Sequence, residues 1–79
     1  LNNVLSEIIE KDLIQTYRLS GDNEKAVETF IINQKFLKEN YNPLLYNIAL
    51  NNAKKDNETL KSSNSKKYEE NKKILSNLN

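Results

Sequence analysis

The sequence holds one glycine, Gly21, and one proline, Pro43, in 79 residues. A strand-rich chain of this length needs turn residues about every 8–12 positions. Two such residues cannot supply them, so the chain is expected to be helical throughout. The apolar spacing agrees. Leu5, Ile9, Leu13 and Tyr17 recur every four residues, and Val4 and Ile8 widen the stripe. That pattern predicts a helix over about 3–19, with Asn2 or Asn3 placed to cap it. Gly21 can take the left-handed backbone that ends a helix, and Asp22 or Asn23 can open the next.

The second helix is expected over 23–40. Ala26, Val27, Phe30, Ile31, Phe36 and Leu37 give it a face broad enough for two neighbours. Asn40-Tyr41-Asn42-Pro43 is the next break, because proline suits a first helical turn, where its missing N–H would be unpaired anyway. The third helix, over 43–61, carries Leu44, Leu45, Ile48, Ala49 and Ala53. An earlier turn at Asp56-Asn57 is the alternative end to a stop at Ser62-Ser63-Asn64-Ser65. The fourth, over 65–78, places Tyr68, Asn71, Leu75 and Leu78 on one side and leaves Lys66, Lys67, Lys72 and Lys73 mostly to solvent. Beyond Ala53 the only apolar side chains are Leu60, Tyr68, Ile74, Leu75 and Leu78, so this part must lean on the first.

Composition narrows the chemistry. There is no Cys and no His, hence no disulfide framework, no thiolate nucleophile, and neither the commonest metal ligand nor the commonest general base. Carboxylate pairs such as Glu7 with Glu10 and Glu24 with Glu28 fall on expected solvent faces. Neither Asp22-Asn23-Glu24 nor Asp56-Asn57-Glu58 has the ligand spacing of a calcium loop. The chain therefore reads as non-catalytic, without cofactor or metal. Twelve basic and eleven acidic residues give a net charge of +1, which argues against nucleic-acid binding. No apolar run approaches a membrane span. Fourteen asparagines, scattered rather than clustered, read as codon bias and not as a polar tract. The chain opens on Leu1, so it reads as a piece of a longer protein, and nothing in it fixes a compartment.

Residues 13–46 resemble a tetratricopeptide repeat and the start of its successor. Tyr17 stands where that family has an aromatic near the end of its first helix. Gly21-Asp22 matches its turn, Ala26 its small residue at the helix crossing, Phe30 its large apolar group and Pro43 its closing proline. Leu45-Tyr46-Asn47-Ile48-Ala49 resembles a second opening. The pattern is broken where Ile14 replaces a small residue and Asn33 another. Pro43 comes about five residues late, and the second unit runs into Lys54-Lys55-Asp56 without a glycine. The resemblance implies four antiparallel helices stacked as two hairpins, a fragment of a right-handed α-solenoid. It also implies a scaffold function: another protein or a peptide segment docks on a concave face lined by the first helix of each unit. Those residues would be Lys11, Gln15 and Arg18 in one unit and Tyr46, Leu50 and Lys54 in the next, with the cations holding acidic groups. Leu50 is expected outside the core, on the premise that Leu45 and Ile48 face inward. Uncovered apolar surface also offers a second copy of the chain a place to pair. The rival expectation is a closed helical bundle of a cell-surface or periplasmic protein, with four stripes around one centre and no groove.

Overall fold

The computed structural model describes residues 1–78. Four helices account for nearly all of them. The first, α1, covers residues 2–19 without a break but changes character midway. Asn2–Glu7 and Gln15–Leu19 are α-helical, and Ile8–Ile14 between them is a π-helix. The others are α2 (Asn23–Asn40), α3 (Pro43–Glu58) and α4 (Ser65–Ser76).

The helix ends follow from local chemistry. Gly21 has φ 87°, which admits the sharp turn after α1. Asp22 then caps α2 by accepting from the Lys25 N–H. Asn42 accepts from the N–H groups of Leu44 and Leu45, with Pro43 filling the first helical position. Asn64 caps α4 through Lys67. The start of α1 differs from expectation: no side chain caps it. Asn2 instead reaches the far end of α2, donating to Asn40 Oδ1 at 3.2 Å.

The end of α3 falls between the two sequence alternatives. The helix stops at Glu58, and Leu60 turns inward from the following turn instead of extending the helix. Asn57 holds that corner by donating to the Tyr68 carbonyl at 3.0 Å, while Thr59 bonds back to the Asp56 carbonyl. The fourth helix ends two residues early, at Ser76, with Tyr68, Asn71 and Leu75 buried as their spacing predicts.

The core is built on α2, which packs against α1 on one side and α3 on the other. Ala26, Val27, Phe30 and Leu37 are wholly buried, and Phe30 meets the tilted ring of Tyr46 with centroids 5.9 Å apart. Ala49, Leu50 and Ala53 complete the α3 side. Chain neighbours are also packing neighbours, and α4 rests mainly on α3. The molecule is a slab of 38 × 27 × 17 Å, about two helices thick.

Two inward faces differ from the sequence reading. On α1 the buried residues are Ser6, Glu10 and Ile14; Ile9 and Tyr17 are half-buried, while Val4, Leu5, Ile8 and Leu13 are exposed. The inward ridge lies one residue along from the apolar stripe. On α3, Leu44 and Ile48 are exposed, and Tyr46 and Leu50 take the core positions. Tyr46, Ala49, Leu50 and Ala53 form an i, i+3, i+4, i+7 stripe of their own, and its Tyr46 ring meets Phe30.

Candidate functional site

The ridge of α1 runs Asn2, Ser6, Glu10, Ile14, Arg18, one residue in four. In an α-helix a spacing of four drifts by about 40° per step, or roughly 160° from Asn2 to Arg18. Yet both ends of the ridge are tied: Asn2 to Asn40, and Arg18 to Asp56 on α3. The wider turn of the π segment takes up that drift. Small Ser6, wholly buried and bonded to the Asn2 carbonyl, lets α1 approach closely.

Arg18 and Asp56 form the ion pair that joins α1 to α3. Arg18 Nε donates to both carboxylate oxygens, at 2.9 and 2.8 Å, and Nη2 lies 2.8 Å from Oδ2. The Asn23 amide adds a bond to Oδ1 at 3.2 Å. Asp56 is buried and Arg18 is largely covered, so this guanidinium is committed within the fold. The tie also sets direction. The first turn of α1 lies by the end of α2, close to where α3 begins, and the last turns of α1 and α3 are bridged. The two helices therefore run the same way.

The expected groove set separates accordingly. Lys11 and Gln15 are exposed on α1. Arg18 belongs to the pair with Asp56. Tyr46 and Leu50, at 5% and 2% exposure, are core residues and cannot line an open face. Lys54 lies on another flank of α3, where it lines a 160 Å³ cleft against α4 with Asn57, Glu58, Lys72, Leu75 and Ser76. Of the six residues, Lys11 and Gln15 remain available on one surface. Lys11 makes only a long 3.8 Å contact with Glu7, both well exposed, which contributes little.

The outward faces of α1 and α3 carry aliphatic side chains instead. Val4, Leu5 and Ile8 project from the first half of α1, with Leu1 beside them, and Leu44 and Ile48 from the first half of α3. Both sets lie at the same end of two parallel helices. A single exposed leucine is ordinary, but three exposed aliphatic side chains within two turns of one helix are of the kind that marks contact surfaces. Their signal was present in the sequence as the stripe of α1; what was missing was which way it faced.

Among the described residues no three His, Cys, Asp or Glu side chains come together as a metal site. Burial raises Glu10 above the ordinary carboxylate range, with Arg18 lowering it and Asp56 adding to the rise. Burial also raises the phenols of Tyr41 and Tyr46. Glu10 does not line the cleft between α3 and α4. Among the described residues no helix is long and apolar enough to cross a membrane. No protein-family model, curated protein or solved structure matches the chain.

Proposed function

We propose that the protein is a non-catalytic protein–protein interaction module of tetratricopeptide type, which docks a partner segment on the layer formed by α1 and α3. One observation carries this reading: α1 buries Ser6 and Glu10 while turning Val4, Leu5 and Ile8 outward. A helix that only closed a bundle would gain by the opposite rotation, since each buried aliphatic side chain contributes roughly 1.5–3 kcal/mol. The sequential packing and the thin slab also favour stacked hairpins over four stripes around one centre. The docking surface on this reading is apolar at its core, with Val4, Ile8, Leu44 and Ile48 as anchors and Lys11 and Gln15 at its edge.

The test is affinity capture from lysate with three baits: the parent chain, Ile8→Asp with Ile48→Asp, and Lys11→Ala with Gln15→Ala. All four substitutions are at exposed positions, so circular dichroism should match the parent. A partner retained by the parent and the alanine bait but lost by the aspartate bait supports an apolar docking face. Equal capture by all three moves the binding surface off α1 and α3. Specific capture by none of them favours the structural bundle.

A further inference from the structure

Glu10 points inward from the middle of the π segment and is 8% exposed, and its Oε2 has no hydrogen-bond partner. Charged groups act on it from two sides. Arg18 attracts it along α1, and Asp56 repels it from α3; among the described residues no charged group of α2 acts on it, and Tyr41, after α2, feels its charge in return. Arg18 makes no hydrogen bond to it: its Nε is spent on both oxygens of Asp56, and its buried Nη2 finds no hydrogen-bond partner either. The carboxylate thus has neither water nor a donor for one oxygen, which is costly for the ionised form and far less so for the neutral acid.

We propose that Glu10 is a proton-operated latch for the first half of α1. With the carboxyl group neutral, residues 2–10 sit closed on α2; with it ionised, this half opens to let water reach the oxygens. The sign follows from linkage. Burial raises the folded-state pKa above the ordinary value of 4.5, so the closed form gains stability below that value and loses it as pH rises through the raised one. The device concerns the seating of α1 alone and holds whatever the outer face binds.

Ser6 offers the probe. It is wholly buried on the same ridge, one turn before Glu10, and the chain has no cysteine to compete. A Ser6→Cys chain is labelled with 4,4′-dithiodipyridine, with and without Glu10→Gln, from about pH 4 to about pH 8. Each rate is corrected for the free thiol and set beside the urea unfolding free energy at the same pH. The labelling rate with Glu10 intact, divided by the rate with Glu10→Gln, should rise with pH, by about tenfold for each unit by which the pKa is raised. The opening that admits the reagent should be easier than global unfolding. A ratio flat across the range overturns the latch. So does labelling that always matches global unfolding, because α1 then opens only with the whole chain. Should Ser6→Cys fail to fold, hydrogen exchange of the amides of residues 6–10 reads the same opening, with the same two outcomes.

Discussion

Single residues here act mostly by tying helix ends together. The Arg18–Asp56 pair is the clearest case, because Asp56 has 6% of its side chain exposed and, among the described residues, only Asn23 as a further donor. Arg18→Met should cost about 3 kcal/mol, the penalty for an uncompensated buried charge. Arg18→Met with Asp56→Leu should recover most of that loss, since the stranded charge is gone; urea unfolding of the three chains checks both. Gly21 gives a cleaner measurement. A Cβ there would meet nothing within 4 Å, so Gly21→Ala is charged for the positive φ alone. The expected loss is about 1 kcal/mol, read from the urea midpoint with an unchanged slope. A much larger loss would show that the turn does more than reverse the chain.

At the scale of elements, the breaks were legible, the start of α1 was not, and the rotations were less so. Gly21, Asp22, Asn42, Pro43 and Asn64 act locally, and local signals survive folding. Which stripe of α1 faces inward is decided elsewhere, by Asn40 and Asp56, 38 residues away in each pairing. Periodicity cannot report that. It also presumes a uniform pitch, and the π segment departs from it. On α3, two overlapping stripes were available, and the choice rested on what α2 offered in Phe30. The expected site suffered most, because Tyr46 and Leu50 were placed outward on the wrong stripe. The π segment makes a direct prediction. It holds about one residue more than a regular helix would need between its tied ends. Deleting exposed Lys11 should therefore leave both ties in register, with a melting temperature at or above that of the parent. Deleting Lys35 from the exposed face of α2 has no such slack and should unfold the chain or lower its melting temperature sharply.

The whole molecule is not uniformly joined. Between α2 and α3 the contact is aromatic and aliphatic, centred on Phe30 and Tyr46. Between α3 and α4 buried Leu75 is joined by a row of polar bonds: Asn71 donates to Asn57, Asn57 to the Tyr68 carbonyl, and the Tyr68 hydroxyl to Glu58, with an open cleft alongside. Hydrogen exchange should accordingly find the α4 amides opening at lower free energy than those of α2, and equal protection of the two would refute this. A seam of this kind has a consequence for how the chain comes apart. Asn57 is the centre of that seam: its amide meets α4 twice, with the Tyr68–Glu58 bond and buried Leu75 beside it. If this seam opens as a unit, the other three helices still share the core around Phe30 and Leu37. The chain should then melt from its C-terminal end in two steps instead of one, and a calorimetric enthalpy larger than the van't Hoff enthalpy would be the trace of that order.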